Sequence, residues 1–406
     1  MATPPLSDAV LQSAMDAYGR CGTKRWAARE LGIPLPTLKC RLESARQRGL
    51  TPASGLLDPE NPAHLTQKIN YLKDELKHLQ DQALTHNRIR QTIFNLAETA
   101  KSYSPPSWLL HTKQGHAAPG VPSLFLSDLH WGEVIQASQI NGANTYNLTI
   151  ARARLKYLAE GAIRLLNILS PKMEYPGIVV VAGGDFISGN IHDELTATNE
   201  LNTMPTLLDL FDHGARFFNT LLDAFPKVHV PLVTGNHGRD TMKIWHKDRH
   251  HTSFDWLLGC LWAKHFAGNP RITFQIPDGS DAYFKIFQHR YLLTHGDQFR
   301  GGDGMIGALG PIIRGDHKKR SRNAQIDMEY DTLLLGHWHQ YIHLTRLIVN
   351  GSLKGYDEYA YANNFPFEKP QQALWLTHPK YGITYRMPVF VNREQSVQPT
   401  RWISAT

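Results

Sequence analysis

Five short stretches of this chain end on side chains that bind divalent metals. They are Asp128-Leu129-His130, Gly184-Asp185, Gly235-Asn236-His237, His295-Gly296-Asp297 and Gly336-His337-Trp338-His339. Carboxylate, carboxamide and imidazole are oxygen and nitrogen donors, and no thiolate stands among them. Such a mixed set suits Mn2+, Fe or Zn2+, and it supports hydrolysis by an activated water. One stretch alone says little. Gly-Asp after a strand is often only a turn, and a lone His such as His295 is more often an ordinary, partly buried side chain. The repetition carries the signal.

Each stretch follows a short, largely apolar run, at 123–127, 178–182, 230–234, 290–294 and 332–335, the second of them β-branched. These runs read as buried strands. The glycines permit a tight turn, so Asp185 is expected at a strand's end, facing a crevice. Five strands thus deliver Asp, His, Asn and His side chains to what reads as one edge of a sheet. Apolar spacing predicts helices over about 147–169, 193–225 and 253–266. Residues 121–390 read as one α/β domain, with strand–helix–strand units first and β-rich pairs later, a sheet sandwich flanked by helices.

In this order the five stretches resemble the calcineurin-like metallophosphoesterases, whose pattern is Asp-X-His, Gly-Asp, Gly-Asn-His, a lone His and Gly-His-X-His. The resemblance implies a four-layer α/β/β/α metallophosphoesterase sandwich. It implies a first metal held by Asp128, His130, Asp185 and His339, and a second by Asp185, Asn236, His295 and His337. Asp185 would then bridge, and a bridging carboxylate holds two cations ~3.5–4 Å apart, the spacing of two-metal hydrolysis. The implied cofactors are two divalent metal ions, Mn2+ first and Fe or Zn2+ as alternatives, with a bridging hydroxide attacking phosphorus in line. His237 follows a ligand and is by resemblance not one itself; it is assigned to the leaving-group oxygen as the catalytic donor.

In domain content the nearest resemblance is to the nuclease subunits of double-strand-break repair exonucleases, at the motifs only. Gly238 and Arg239 follow Gly-Asn-His where the family often has Asp or Glu. Ser188 stands three residues beyond the bridging Asp, where the repair nucleases commonly have His or Asp. His192 is a candidate replacement, and Arg239 a candidate substrate contact. These departures leave the metals intact and put exonuclease specificity in doubt.

The chain has 406 residues and a formal net charge of +7, from 43 basic and 36 acidic side chains. That balance leans toward a polyanionic partner. No run approaches a membrane span and the N-terminus lacks a signal-peptide layout, so a cytoplasmic protein with no membrane partner is expected. Cys21, Cys40 and Cys260 are odd in number and lack metal-type spacing, which fits a reducing compartment without disulfides.

Residues 1–50 read as three helices. Leu6, Val10, Leu11 and Met15 form an apolar stripe, Thr23 caps a second helix that Gly32 ends, and Pro36 opens a third over 37–48 with Leu38 and Leu42 inward. Trp26 to Ile33, Thr37, Leu38 and Leu42 resemble the resolvase and enhancer-binding helix-turn-helix. The resemblance implies that Thr37, Lys39, Cys40 and Arg41 face the major groove, with Lys24, Arg25 and Arg46 near phosphates. The bland alternative is a small protein-contact module with a solvated basic face. Residues 51–62 read as a linker. Over 63–99, Ile69, Leu72, Leu76, Leu79 and Ala83 make a heptad seam, a coiled-coil helix suited to a homodimer or to packing on the next domain. Residues 100–120 read as a second linker and 391–406 as a tail.

Two basic stretches flank the motifs. Arg239, Lys243, His246, Lys247, Arg249, His250 and His251 follow Gly-Asn-His, and Arg300, Arg314, His317, Lys318, Lys319, Arg320 and Arg322 follow His295. They are suited either to clamping a phosphodiester backbone or to lying in solvent as charged loops. Trp245 and Phe299 are candidates for base stacking, though core packing is commoner for aromatics. Asn350-Gly351-Ser352 reads as a turn. The leading expectation is a metal-dependent DNA nuclease tethered by its N-terminal helices. The alternatives are a phosphomonoesterase or a (cyclic) nucleotide phosphodiesterase, or a non-catalytic DNA-binding adaptor. Whether a partner ATPase exists is not legible.

Overall fold

Why the apolar runs become strands is visible in their two faces. In β1 (Val121–Leu126) and β2 (Ile178–Ala182) every residue is buried, so both faces must be covered. The computed structural model, which describes residues 6–21, 23–51, 105–110, 120–171, 174–300 and 307–392, supplies those covers. The chain divides into two compact units, Met1–Gln91 and Thr92–Thr406.

In the second unit the strands continue with β3 (Val228–Pro231), β4 (Ile272–Gln275), β5 (Asp281–Ile286), β6 (His289–Thr294), β7 (Thr332–Leu335), β8 (Ile342–Leu344), β9 (Leu347–Val349), β10 (Gln371–His378) and β11 (Gly382–Phe390). They form a six-stranded sheet in the order β11-β10-β1-β2-β3-β4 and a five-stranded sheet in the order β5-β6-β7-β9-β8. β1 to β4 are mutually parallel, and so are β6, β7 and β9. The five strands that end on the motifs therefore do not share one sheet edge: β1, β2 and β3 belong to one sheet, β6 and β7 to the other. Both sheets draw on apolar runs of similar length, so nothing local assigns a strand to either.

Period-two alternation distributes the core. Leu124, Leu126, Ile178 and Val180 pack with the helices Leu148–Leu169, Thr203–Ala224 and Phe254–His265. Their neighbours Phe125, Val179 and Val181 instead meet Phe284, Tyr291, Leu293 and Leu334 of the second sheet. On that sheet's far face, Leu292, Leu333, Leu335 and Val349 pack with Ile312 of the helix Leu309–Ala324.

Several boundary expectations need correction. The helix expected over 193–225 is two, Asp193–Thr198 and Thr203–Ala224. Between them the Glu200 N–H donates to the Gly132 carbonyl, and the Glu200 carboxylate accepts the Leu148 N–H at 2.7 Å. Tertiary hydrogen bonds there outweigh the helical period. The linker expected over 100–120 contains a short helix, Ser107–Leu110, whose Leu109 is fully buried in the inter-sheet core. The expected tail begins inside the fold, for Val391 is buried and Asn392 accepts from Arg154 at 2.9 Å.

His229 on β3 is fully buried, and burial pulls its pKa down to about 4. It folds neutral, while the unfolded chain takes a proton near pH 6.5. Its stabilising contribution is complete above pH 6.5 and is lost as pH falls toward 4, by about 1.4 kcal/mol per pH unit for one such group. Urea unfolding at several pH values should show that slope, and His229→Gln should remove about one proton's share of it. An unchanged slope would place the acid sensitivity elsewhere.

The first unit holds the helices Asp8–Cys21, Lys24–Glu30 and Leu35–Gln47 around a core of Leu11, Ala14, Met15, Ala27, Leu38, Leu42 and Ala45. The Thr23 side chain accepts from the Trp26 N–H, as a cap should. The third helix starts two residues before the expected Thr37, because Pro36 fits its first turn. Leu6 lies exposed rather than in the stripe. The expected coiled coil at 63–99 lies outside the described residues. The cysteines are free. Among the described residues no helix is long and apolar enough to cross a membrane.

Candidate metal centre

The loops after β1 and β2 run side by side. The Asp128 N–H donates to the Gly184 carbonyl, and the Leu129 and His130 N–H groups donate to that of Asp185. From the second sheet, the Gly336 N–H donates to the His295 carbonyl, which joins the β6 and β7 loops. Asp128, His130, Asp185, His337 and His339 all have positive φ, between 45° and 67°. Non-glycine residues rarely adopt that backbone, and a cluster of them is strain held in place by the surrounding fold. The glycines of the motifs have a steric cause. A Cβ on Gly336 would stand 2.6 Å from Asp128 Oδ2, and one on Gly235 would collide with the Asp185 carboxylate.

Three overlapping groups gather ligand atoms within 4.8 Å: Asp128, His130 and His339; His130, Asp185 and His237; Asp185, His295 and His337. His130 Nε2 lies 3.1 Å from His339 Nε2, and His339 Nε2 is 3.4 Å from Asp128 Oδ1. His295 Nε2 lies 3.0 Å from Asp185 Oδ2 and 3.2 Å from Asn236 Oδ1. Asp128, His130, Asp185 and His295 are buried.

Electrostatics suit cations. Burial, then Lys354, holds His130 well below its ordinary pKa, and burial lowers His337 to about 4. Both are therefore neutral, the form that offers a lone pair. Burial opposes charge on Asp185, yet His295 and His237 keep it well below the carboxylate range. His295 behaves differently. Burial opposes its charge, but Asp185 more than reverses this and lifts it to about 10. Its Nδ1–H donates to the Gly183 carbonyl at 2.8 Å, so Nε2 points at Asp185 and Asn236. Positive charge is thus already stabilised beside Asp185. By donor chemistry and placement these residues could hold divalent metal ions.

Several supporting residues were missed in the sequence. Asp255, fully buried at the start of the helix Phe254–His265, accepts the backbone N–H groups of Asp185 at 2.9 Å, Phe186 at 3.2 Å and Gly235 at 2.9 Å. Burial, with Asp185 adding, pushes it up to about 7. The supposed turn at Asn350-Gly351-Ser352 is buried structure: Asn350 Nδ2 donates to Ser127 Oγ and Gln372 Oε1, each at 2.8 Å, and Ser352 Oγ donates to the Asp128 carbonyl. Lys354 Nζ lies 2.7 Å from Glu133 Oε1 and 2.6 Å from Asp357 Oδ2, with all three side chains buried. Burial opposes the Lys354 charge, but the two carboxylates hold its pKa above the ordinary range, and Asp357 is drawn to about 2. Burial lifts Glu133 instead; the short ammonium contacts nevertheless favour its ionised form. Only a signal from tertiary contact could have found these residues.

The remaining candidates fall at different places. His237 Nδ1–H donates to the Ser188 carbonyl at 2.9 Å, and its ring stands 4.5 Å from that of His130. Burial lowers its pKa, while Asp185 opposes that. His192 is exposed, its ring 5.6 Å from that of His237. The Arg239 guanidinium donates to the carbonyls of Thr241, Asn236 and Met242, which ties its own loop together. Trp245 is exposed and Phe299 buried. In the separate first unit, Lys24, Arg25, Thr37, Lys39, Cys40 and Arg46 are exposed and Arg41 is half-buried.

No family model and no curated protein matches this chain. Among solved structures it is similar to a single mutant of Vps29 from Entamoeba histolytica, at 14% identity and a TM-score of 0.27, covering 66% of this chain and 99% of that one. It is similar also to a conserved uncharacterized protein, a predicted phosphoesterase, from Streptococcus pneumoniae, at 10% identity and a TM-score of 0.25, covering 67% and 98%. Vacuolar protein sorting 29 from Cryptosporidium parvum gives 13% identity and a TM-score of 0.26, covering 67% and 98%. At such scores the likeness carries no weight for activity, which has to be read from the site itself.

Proposed function

We propose that the chain is a calcineurin-like metallophosphoesterase of four-layer α/β/β/α build that hydrolyses DNA phosphodiesters with two divalent metal ions, Mn2+ first. The observation that carries this reading is the overlap of the ligand groups at His130 and Asp185. Two cation sites that share a carboxylate are what two-metal phosphoryl chemistry requires. Asp128, His130, Asp185 and His339 would hold one ion, and Asp185, Asn236, His295 and His337 the other. When bound, the ions supply Lewis acidity toward water and the phosphoryl oxygens.

The protein's own residues fill the other roles. His237 Nδ1–H is committed to Ser188, so its Nε2 is the atom available to the leaving-group oxygen. To donate from there it must act as imidazolium, which Asp185 favours and burial opposes. DNA as the substrate is supported by the exposed basic residues of the first unit and by a second basic face. Arg314, Lys318 and Arg322, four residues apart on the helix Leu309–Ala324, line a cavity of about 330 Å³ with Arg300. Phe299 in its wall is four residues beyond His295, hence within ~14 Å of it along the chain.

The test is the purified protein with Mn2+ on linear, circular and single-stranded DNA, beside bis(p-nitrophenyl) phosphate. A truncation lacking residues 1–60 is run in parallel. DNA cleavage that weakens on truncation supports the reading; cleavage of the small ester alone, indifferent to truncation, replaces it with a small phosphoester. The combined change Arg300→Glu and Lys318→Glu should cut DNA hydrolysis at least ~10-fold at low salt and leave the small ester within about twofold, because only the polymer reaches that face. Equal losses on both substrates would show that these cations serve the fold instead.

A further inference from the structure

Behind His130 stands a buried group that the ligand chemistry does not use. The His-Trp-Gly-Glu turn closes with the Glu133 N–H on the His130 carbonyl, and Gly132 takes φ 93° to make it. This turn brings the Glu133 carboxylate over the far side of the His130 ring, with Oε2 at 3.4 Å from Nδ1. His130 is 1% exposed, and its Nδ1 has no hydrogen-bond partner in the described structure. Its Nε2 meanwhile faces His339. A metal-bound imidazole needs its second nitrogen protonated and held, and a carboxylate is the usual acceptor. Glu133 is the acidic group in reach. It is fixed by Lys354, which contacts both of its oxygens, at 2.7 and 2.9 Å, and is itself anchored on Asp357.

Resting on the reading of Asp128, His130 and His339 as a metal site, we propose that Glu133 is the positioning residue of that site. It accepts the His130 Nδ1–H, so that Nε2 presents its lone pair to the ion. Lys354 and Asp357 brace it. Two carboxylates on one ammonium leave one net negative charge behind the imidazole, and a bound cation strengthens the Nδ1–H donor toward it. In the structure Glu133 Oε2 stands 3.4 Å from that nitrogen. The second site, built on Asn236, His295 and His337, has its own anchor in the Gly183 carbonyl and owes nothing to Glu133.

The experiment is Co2+ titration of the full chain, followed by calorimetry and by the visible d–d spectrum. The unaltered protein should show two binding events. Glu133→Gln should weaken one of them ~10–100-fold, the range for loss of a ligand's carboxylate partner, and leave the other within about twofold. Asp357→Asn, which also strips a carboxylate from Lys354 but spares the His130 contact, should keep both events. If Glu133→Gln does not fold, Glu133→Asp carries the same expectation, since it keeps the charge and withdraws the acceptor by one methylene. Two unaltered events in the Glu133 variant overturn the proposal. So does equal weakening by Asp357→Asn, which would mark the trio as a structural brace only. If the unaltered protein binds no Co2+, the metal-centre reading itself fails and takes this one with it.

Discussion

On the proposed function, Asp185→Ala should abolish hydrolysis, with a fall of at least ~10³-fold in rate, which corresponds to ~4 kcal/mol of lost transition-state stabilisation. The expectation follows from the number of roles that converge on one side chain. Asp185 belongs to two of the ligand groups, and its Oδ2 lies 3.0 Å from His295 Nε2. Its Oδ1 also accepts the His237 N–H at 2.7 Å, which places the residue assigned to the leaving group. On the proposed two-metal reading the variant therefore loses the shared ligand and the orientation of His237 together. Two readouts separate chemistry from folding: rates on DNA with Mn2+, and the rise in thermal midpoint on adding Mn2+, which a protein that binds the ion must show by mass action. Both should vanish while the metal-free protein stays folded. Persistent cleavage would remove the mechanism.

The second large effect concerns stability. Asp255→Ala strips the acceptor from three buried backbone N–H groups, those of Asp185, Phe186 and Gly235. An orphaned buried donor costs about 1–3 kcal/mol, so a loss of ~3–6 kcal/mol is expected once neighbours relax. Urea unfolding of the metal-free protein measures it. Because those N–H groups belong to the loops after β2 and β3, metal affinity should fall with stability. Asp255→Asn, with one acceptor oxygen left, should sit between the two. A loss under about 1 kcal/mol for the alanine variant would mean that water satisfies these donors and that Asp255 is dispensable.

The motifs were legible because ligand chemistry is local. Asp-X-His or Gly-His-X-His needs its residues at fixed spacing, and the glycine beside a carboxylate is forced by the close approach seen at Gly235 and Gly336. The strands were legible for a related reason, since burial on two faces demands a nearly continuous apolar run. Helix breaks were not. Glu200 interrupts a good helical period only because Gly132 and Leu148 wait for it elsewhere in the chain. Nor was the placement of Arg239 legible, for carbonyls of its own loop take up its guanidinium.

By itself the sequence determined which atoms were offered to a metal, at the ends of which runs, and in what order. Tertiary structure alone decided that those ends come from two sheets, and that Asp255, Asn350, Glu133 and Lys354 stand behind them. Such residues answer to burial. A carboxylate or an ammonium has no local pattern to betray it, and its meaning appears only when the fold removes water and leaves it one partner.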